Sequence, residues 1–362
     1  MCILSYLKIM SGKVRIKDIA EKAGVSVGTV DRILHNRPNV SKNAREKVEA
    51  VLEKISYQPN MYASALAYNK TYTFYCIIPK HESEAYWEEI EIGIAEACEQ
   101  RRDFHIDAKI LYYRRYEAET FRQTFKECLS HNPDGMIIVP SGLDATKELT
   151  DKLHDQNIPF ILLDSYMAEL KPLSFVGQDS ENSGYFAAKI LMLIAAQEKE
   201  IMLMKQMKNG QLASKQQENR EVGFKKYMKK HFPKVKILEL DLPLDEDKNE
   251  YDGILDDFFS KHPNIRHCIT LCSKAHIVGE YFLKNNKNMQ IMGYDMVEKN
   301  AVCLRKGSIS FLIAQHAFMQ GFYCVDILFK SIVLHQEVKL LNYMPIELLT
   351  KENVDFYRRT QL

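Results

Sequence analysis

The sequence predicts a small all-helical module followed by a larger α/β body. Two short helical patterns, joined at a glycine, occur between residues 16 and 34. From Thr71 onwards, strand-like runs alternate with amphipathic helical stretches, and these runs are too numerous for one sheet. The body should therefore divide into two lobes, and a chain of 362 residues with 46% hydrophobic composition is long enough for several cores.

The charge of the chain is distributed unevenly. The whole sequence carries a net charge of +1, whereas residues 11–60 contain ten Lys/Arg and six Asp/Glu, a local net charge of +4. This asymmetry indicates a basic module attached to a nearly neutral body. Any nucleic-acid surface should therefore be confined to the N-terminal module.

Cysteine usage and hydropathy favour a cytoplasmic protein. The eight cysteines are scattered and lack zinc-finger spacing, which is typical of a reducing compartment. No apolar run reaches the length of a transmembrane helix. The opening MCILSYLKIM continues into charged residues without a cleavage site, so we expect residues 1–12 to be a disordered leader. Met1 and Met10 both remain open as the natural start.

The N-terminal module has the pattern of a helix-turn-helix. The segment IKDIAEKA, residues 16–23, is followed by Gly24 at a helix stop and by Ser26 at a helix start, with the second helix reaching about Leu34. In such a unit, the first residues of the second helix contact base edges in the major groove. A third helix after Ser41 would close the core with this apolar stripe: Ala44, Val48, Val51, Leu52 and Ile55. The spacing of the apolar residues alone is also compatible with an ordinary helical bundle that has a solvated basic face.

The segment VRIKDIAEKAGVSVGTVDRILHNRPNVSKNAREKVEAVLEKISYQPN closely resembles the headpiece of the LacI/GalR family, the lactose, galactose and purine repressors. The shared elements are IKDIA, AGVS, TV-x-R-x-L, N-x-x-x-VS and Y-x-PN. The resemblance implies a DNA-binding domain over residues 13–58 and a hinge helix over 59–70, whose leucine wedges into the minor groove. It also implies a homodimer on a pseudo-palindromic operator. The expected DNA contacts are Ser26, Val27, Gly28, Thr29, Arg32, Asn36, Tyr57 and Leu66.

The expected DNA-reading surface departs from the family pattern at several positions. Asp31 stands where the family usually has serine, and a carboxylate there would repel a phosphate at close range. Ser64 replaces a common arginine in the hinge. Val27 and Gly28 are small and apolar, so they read no hydrogen-bond pattern. The operator sequence therefore does not follow from the resemblance.

The body has the alternation typical of parallel sheets covered by helices on both faces. Its strand-like runs are TFYCIIP, IDAKILYY, GMIIVP, FILLDS, FVGQD, EIMLMK, VKILELDL, HCITLC and MQIMGYD. Such sheets bind ligands at the carboxyl ends of their strands. The site residues should therefore follow these runs directly.

The pattern MGYD…N…L-x-x-G-x-I-x-x-x-I-x-Q…QG, from Met292 to Gly321, resembles the sensor domain of the same family. It implies a two-lobe periplasmic-binding-protein type I fold over residues 71–350, with residues 351–362 as a C-terminal tail. Three crossings between the lobes are expected near 166–173, 300–308 and 333–340, and the lobes should close on a ligand. The C-terminal residues lack a heptad pattern, which favours a dimer over a tetramer.

Sugars offer vicinal hydroxyls and an apolar ring face, which proteins bind with carboxylates, amides, arginine and an aromatic ring. Trp87, the only tryptophan, lies where it could stack on a ligand or pack in a core. Asp164 ends a strand and could accept two hydroxyl hydrogen bonds or cap the next turn. The fork of Arg220 suits a ring oxygen and a hydroxyl, with an inter-lobe salt bridge as the alternative.

The remaining candidate effector residues come from the same comparison with the family. Asp295 in MGYD and Gln315 in IAQHAFMQG match its binding positions. Ser141, Asp179 and Ser273 complete the set, with a structural role as the alternative. An acid/base pair of Asp164 and Asp295 is conceivable, but the sequence contains no Gly-x-Ser-x-Gly elbow, phosphate loop or metal-ligand spacing.

These observations predict a transcription regulator, with repression as the expected sign, and not an enzyme. No cofactor and no metal are expected, and the effector should be a carbohydrate bound between the lobes. Two other classes remain open on the same fold: a solute-binding protein and an enzyme acting on sugars or nucleosides. A purine or a phosphorylated sugar is an alternative effector, although Arg220 is the only basic residue clearly placed for a phosphate.

Overall fold

The computed structural model describes residues 16–34, 38–54, 70–83, 86–208, 210–212, 214–244, 248–285 and 289–357. The chain divides into two compact units, residues 1–68 and 69–362. The expected leader, all of the hinge segment except Lys70, and the expected contacts Asn36, Tyr57 and Leu66 lie outside the described residues. The domain boundaries given above stay predictions.

The first unit contains the predicted helix-turn-helix and a third helix. Helices α1 (Ile16–Ala23), α2 (Val27–Leu34) and α3 (Lys42–Lys54) pack around a small apolar core. Gly24 joins α1 to α2 with a left-handed φ of 63°, which a residue without a Cβ adopts without strain. Val25 N–H donates to Ala20 O at 3.0 Å and closes the end of α1. The core residues that are fully buried are Ile19, Val30 and Val48.

The elements of the second unit are numbered along the chain. The strands are β1 (Tyr72–Pro79), β2 (Ile106–Tyr113), β3 (Gly135–Ile138), β4 (Phe160–Leu163), β5 (Ser174–Gly177), β6 (Glu200–Lys208), β7 (Gln211–Leu212), β8 (Lys236–Pro243), β9 (His267–Thr270), β10 (Gln290–Tyr294), β11 (Phe311–Ala314), β12 (Leu341–Tyr343) and β13 (Glu347–Leu349). The helices are α4 (Tyr86–Glu99), α5 (Ala118–Ser130), α6 (Leu143–Asp155), α7 (Ser180–Ile194), α8 (Lys215–His231), α9 (Lys248–Lys261), α10 (Ala275–Lys284), α11 (Glu298–Arg305), α12 (Ala317–Leu328) and α13 (Val354–Tyr357). Short 3-10 helices span Arg102–Phe104 and Ala168–Leu170, and a π-helical turn spans Phe329–Val333.

The first lobe is a fully parallel sheet in the order β12-β5-β4-β3-β1-β2. Strands β3, β4 and β5 are buried along their whole length, which explains their continuous apolar sequences. Phe121 and Phe125 of α5 pack against Phe160 of β4 in a core on one face of the sheet. This arrangement confirms the prediction of helices that cover parallel strands.

The second lobe is a mixed sheet built around β6. Parallel pairs run from β11 through β10 and β9 to β6, and β8 pairs with β6 in parallel. The short strands β7 and β13 join as antiparallel partners of β6 and β11. Alternate residues of β6 enter two separate cores, with Met202 in one and Leu203 in the other, so both faces of the sheet are buried. Two α/β lobes are thus present, as the sequence predicted.

Val354 and Tyr357 of α13, within the segment expected to be a C-terminal tail, are buried in a core of the second lobe. None of the helices in the described ranges is long and apolar enough to cross a membrane.

Each lobe contains a helix pair that packs through glycines. In the second lobe, a Cβ added to Gly184 of α7 would lie 1.9 Å from Arg220 O of α8, and one on Gly223 would lie 1.8 Å from Glu181 O. In the first lobe, Gly93 of α4 and Gly321 of α12 make equivalent approaches to the facing backbone. In both lobes, glycines therefore allow two helix backbones to come into contact.

The chain crosses between the lobes after β5, after β11 and after β12. The expected positions of these crossings were wrong by about ten residues. Residues 166–173 connect β4 to β5 in the first sheet, residues 300–308 consist mostly of α11, and residues 333–340 precede β12. A three-residue strand such as β12 has no detectable periodicity, so the sequence did not reveal that the chain returns to the first sheet there.

Gln178 ties the three crossings together. Its side-chain amide donates to Ala314 O at 3.1 Å and to Pro345 O at 3.0 Å. Gln178 itself follows β5, Ala314 ends β11, and Pro345 lies between β12 and β13. Because Gln178 is only 2% exposed, these hydrogen bonds hold the connecting segments at one place between the lobes.

Candidate functional site

The start of helix α2 presents the described part of the predicted DNA-binding surface. The Ser26 side chain caps the helix: its Oγ accepts from Thr29 N–H at 3.1 Å and lies 2.9 Å from Thr29 Oγ1. Val27 is 49% exposed, and Gly28 and Arg32 are also exposed. A Cβ on Gly28 would meet only Ser26 Oγ, at 3.9 Å. The headpiece core therefore does not require a glycine there, and the space above Gly28 is open.

A cleft of about 810 Å³ lies between the two lobes of the second unit. Its walls are formed by residues that follow β1, β2, β4, β6, β9, β10 and β11, which places it at the strand ends where such sheets bind ligands. Of the eight effector residues predicted from the sequence, the structure brings six to this cleft: Trp87, Asp164, Arg220, Ser273, Asp295 and Gln315.

Two buried carboxylates of the cleft occupy equivalent positions in the two lobes. Asp164 directly follows β4 of the first lobe, and Asp295 directly follows β10 of the second. Burial raises the pKa of Asp164 to about 6, although Arg115 and Arg220 oppose this shift. Burial also raises the pKa of Asp295, against the opposing influence of Arg220 and a hydrogen bond from Gln315. Both groups are therefore less readily ionised than exposed carboxylates.

Arg220 favours the ionised form of both carboxylates and is held by a fixed set of contacts. Its guanidinium donates to Leu271 O at 2.9 Å and to Gln216 Oε1 at 3.2 Å, and stacks 3.9 Å above the ring of Tyr294. Only 2% of the side chain is exposed. A buried arginine in such a position is preorganised to bind a ligand together with the neighbouring carboxylates.

Gln315 and Asn300 position the second-lobe side of the cleft. Gln315 Nε2 donates to Asp295 Oδ1 at 2.5 Å, so the two predicted residues form one unit. The Asn300 amide donates to the carbonyl oxygens of Ser273, Tyr294 and Asp295 at distances of 2.9–3.0 Å. Asn300 thereby joins the loops that follow β9 and β10. Sequence reasoning missed this fully buried side chain, although the N in the family pattern of the body could have indicated it.

Gln216 connects the two lobes across the base of the cleft. Its Nε2 donates to Asp164 O of the first lobe at 2.8 Å, and its Oε1 accepts from Arg220 in the second lobe. The residue is buried and was not predicted from the sequence, because a glutamine in a polar helix start has no distinctive pattern. The lobes therefore touch directly through the residue that also orients Arg220.

The Tyr86 hydroxyl and the buried Asp164 carboxylate interact with each other, and this contact opposes the rise in the pKa of Asp164. Two other buried polar atoms of the cleft, Gln315 Oε1 and Arg220 Nε, lack a hydrogen-bond partner among the described residues. Buried polar groups normally have partners, because an unsatisfied group costs free energy. These atoms can accept or donate hydrogen bonds to a polyhydroxylated ligand.

Trp87 lines the cleft, and the Arg115 side chain lies over its ring. Its ring is 7% exposed, and the Arg115 guanidinium lies 5.3 Å from the ring centre. Tyr86 packs edge-on against it at 5.1 Å. The proposed stacking of a sugar on Trp87 stays a prediction, and Arg115 shares the face that such a ligand would use.

Ser141 and Asp179 lie outside the cleft. The Ser141 backbone N–H donates to Thr146 Oγ1 at 3.2 Å near the start of α6. Asp179 caps helix α7, where it accepts from the Asn182 N–H at 3.0 Å and from its side-chain amide at 2.7 Å. These contacts agree with the structural alternative that the sequence left open for the two residues. Among the described residues, no cluster of His, Cys, Asp or Glu could hold a metal ion.

Two family models match the chain, one in each of the two units. The model of the bacterial regulatory proteins of the lacI family matches residues 15–60, and that of the periplasmic binding protein domain matches residues 74–333. The chain belongs to the LacI family of bacterial regulatory proteins. This membership confirms the resemblance and the fold class predicted from the sequence.

The most informative solved relative of this LacI-family chain is a putative LacI transcriptional regulator from Bacteroides fragilis. It is 43% identical with a TM-score of 0.77, and the match covers 80% of this chain and all of that chain. The match supports the assignment of the described fold to this family.

Two curated regulators are similar at lower identity. The HTH-type transcriptional regulator DegA of Bacillus subtilis is 28% identical over 50% of this chain and 52% of its own length. Catabolite control protein A of Staphylococcus xylosus is 28% identical over 66% of each chain. The LacI-family chain thus spans between half and two thirds of the length of these relatives. DegA is a transcriptional regulator, in agreement with the class of protein predicted here.

Proposed function

We propose that this protein is a DNA-binding transcription regulator whose affinity for its operator is set by a small molecule bound between the two lobes. One observation carries the proposal: a single chain combines an exposed helix-turn-helix with a cleft in which Asp164, Arg220, Asp295 and Gln315 converge. Membership in the LacI family supports it. A solute-binding protein or an enzyme would have no use for the headpiece.

The headpiece is the proposed DNA-binding module. The residues at the start of α2 are small, which lets the helix approach base edges, and Arg32 one turn later is long enough to reach a guanine or a phosphate. The local charge of +4 over residues 11–60 favours phosphate contacts. Leu66 is the residue proposed to enter the minor groove from the hinge segment.

A carbohydrate is the proposed effector. Asp164, Asp295 and Gln315 offer oxygens that accept hydrogen bonds from hydroxyl groups, and Arg220 offers donors for a hydroxyl or a ring oxygen. The buried Gln315 Oε1, which has no hydrogen-bond partner among the described residues, would gain one when such a ligand binds. Each lobe contributes to the set, so binding would favour the closed arrangement of the lobes.

The proposed mechanism couples this closure to DNA binding. In a homodimer on a two-fold operator, a change in lobe closure would alter the separation of the two hinge segments and so the operator affinity. The protein would act in the cytoplasm as a repressor, with carbohydrate uptake or catabolism as the controlled process. Its effector must have different affinities for the two states, since a ligand that binds both equally shifts nothing.

The DNA-binding part of the proposal is tested with the full chain and two duplexes, its own promoter region and a random sequence. Fluorescence anisotropy at several salt concentrations should show tighter, salt-dependent binding to the promoter. Replacement of Arg32 by alanine should weaken promoter binding by about tenfold or more, since it removes a base or phosphate contact. The control R122A removes the same charge from the first lobe, where Arg122 pairs with Glu148, and should bind like the wild type. Equal affinity for the two duplexes would refute the proposal.

A further inference from the structure

The cleft carries more basic side chains than the sequence indicated. Besides Arg220, its walls include Lys80, Arg114 and Arg115 from the first lobe and Lys208, Lys274 and Lys299 from the second. A neutral sugar requires hydroxyl-binding groups, which Asp164, Asp295 and Arg220 already offer. The walls also include four further carboxylates, those of Glu82, Glu117, Asp252 and Glu280, so the position of each cation decides what it can bind.

Arg115 is the most firmly positioned of these cations. It lies in the turn between β2 and α5, which the Glu117 N–H closes by donating to Arg114 O at 2.9 Å. The Arg114 N–H also donates to Thr120 Oγ1 at 3.0 Å, which fixes the turn to the first residues of α5. The side chain is half-buried and lies over Trp87, which restricts it to the cleft wall.

Within the described ranges, no ion pair joins Arg115 to a carboxylate. Its neighbour Arg114 differs, because it pairs with Glu117 at 3.3 Å and has an exposed side chain. The turn thus contains two adjacent arginines that both line the cleft, of which Arg114 is exposed and paired with Glu117. This difference makes Arg114 a matched control for Arg115.

Lys208 approaches the same part of the cleft from the opposite lobe. Its Nζ lies 4.7 Å from the ring centre of Tyr116, the residue that follows Arg115. Lys208 ends β6 in the second lobe, whereas Tyr116 belongs to the first. Two cations from different lobes are therefore brought to one region of the cleft mouth.

The charge of Arg115 also reaches the inner part of the cleft. Burial raises the pKa of Asp164, and Arg115 is the first of the groups that oppose this shift, ahead of Arg220. A ligand that binds Asp164 therefore lies within reach of the Arg115 charge, since both residues line the same cleft. The volume of about 810 Å³ leaves room for a substituent beyond the sugar ring.

We propose that the effector is an anionic sugar, with a carboxylate or phosphate group that Arg115 and Lys208 bind from opposite lobes. The inference rests on the proposed function, in that it assumes a carbohydrate at Asp164, Arg220 and Asp295. An arginine fork binds either anion through paired hydrogen bonds, and the lysine adds a point charge. An anion held by both lobes would stabilise their closure, so the charged group would act directly in regulation.

Thermal shift and isothermal titration calorimetry on the full chain test this inference with matched sugar sets. Each set contains a neutral hexose, its uronate and its 6-phosphate, in the glucose, galactose and mannose series, with inorganic phosphate as an additional probe. An anionic member should raise the melting temperature and bind at least about tenfold more tightly than its neutral counterpart. The uronate and phosphate arms identify which anion the site prefers.

The variants R115Q, R115K and R114Q decide which residue is responsible. R115Q should abolish the preference for the anion, R115K should restore part of it, and R114Q should leave it unchanged. Equal binding of neutral and anionic members, or a preference that survives R115Q, would overturn the inference. Failure of every anionic sugar to bind would also overturn it. The promoter titration is made without sugar, so the regulator proposal is judged separately.

Discussion

Asp164 and Asp295 share an unusual backbone conformation as well as equivalent positions at the ends of strands. Each follows a buried strand and has a left-handed φ, 73° for Asp164 and 69° for Asp295. Aspartate tolerates this region better than most residues, because its short polar side chain can compensate locally. The chain turns sharply at the strand end and directs each carboxylate into the cleft. Residues with such strained backbones are frequent at binding sites.

The raised pKa of Asp164 has a consequence for stability. Because the folded carboxyl holds its proton more tightly than the unfolded one, stability falls as the pH rises from about 4 to about 6. The D164N variant removes the ionisation and should stabilise the unliganded protein at pH 7.5 by about 2–3 kcal/mol. Urea unfolding at pH 7.5 and pH 4 measures the difference, which should vanish at the lower pH.

The control for this prediction is D151N, at an exposed position on α6. It should give no stabilisation that depends on the pH in this way. If D164N is no more stable than the wild type at pH 7.5, ionisation of the buried Asp164 carboxylate does not destabilise the folded protein as expected. The predicted gain in stability would accompany loss of effector binding, since the amide cannot replace both carboxylate oxygens as acceptors.

At the scale of elements, the position of Arg220 depends on the contact between α7 and α8. The two helices touch where Gly184 faces the backbone of Arg220, so the arginine is set by helix packing as well as by its hydrogen bonds. The reciprocal contact of Gly223 with Glu181 supports the same approach. A side chain at either glycine would force the helices apart and move Arg220 away from the carboxylates.

The G184A variant tests this dependence. A methyl group 1.9 Å from Arg220 O must displace the α8 backbone, so we expect a loss of about 1–3 kcal/mol in the free energy of unfolding together with weaker effector binding. Urea unfolding and calorimetric titration measure the two effects. The control is G253A on α9, where an added Cβ meets nothing within 4 Å. Unchanged effector affinity in G184A would show that helix packing does not position the arginine.

Part of the cleft could be predicted from the sequence, because some of its residues directly follow clearly apolar strand sequences. Asp164 and Asp295 directly follow apolar strands, and their role at the strand ends follows from the fold class. Gln216 and Arg115 lie in polar segments without periodicity, so only the folded chain shows that they face the cleft. The crossings were misplaced for a similar reason, since a three-residue strand such as β12 has no pattern of its own.

At the scale of the molecule, the second unit consists of two lobes that share one ligand site and three connecting segments. Gln178 holds these segments together, and Gln216 links Asp164 of one lobe to Arg220 of the other. Each lobe supplies one of the two buried carboxylates of the cleft, so neither lobe forms the complete site alone. A ligand that contacts both carboxylates must therefore respond to the relative position of the lobes.

The central claim is that a ligand in this cleft changes the affinity for DNA. The most direct measurement is the anisotropy of a labelled promoter duplex with the full chain, in the presence and absence of the sugar that gives the largest thermal shift. The wild type should change its affinity by about fivefold to 150-fold, the usual range of allosteric coupling. The D295A variant should bind the promoter as the unliganded wild type does and show no response to the sugar. A sugar that binds the wild type in the cleft without altering its affinity for the promoter would contradict the account.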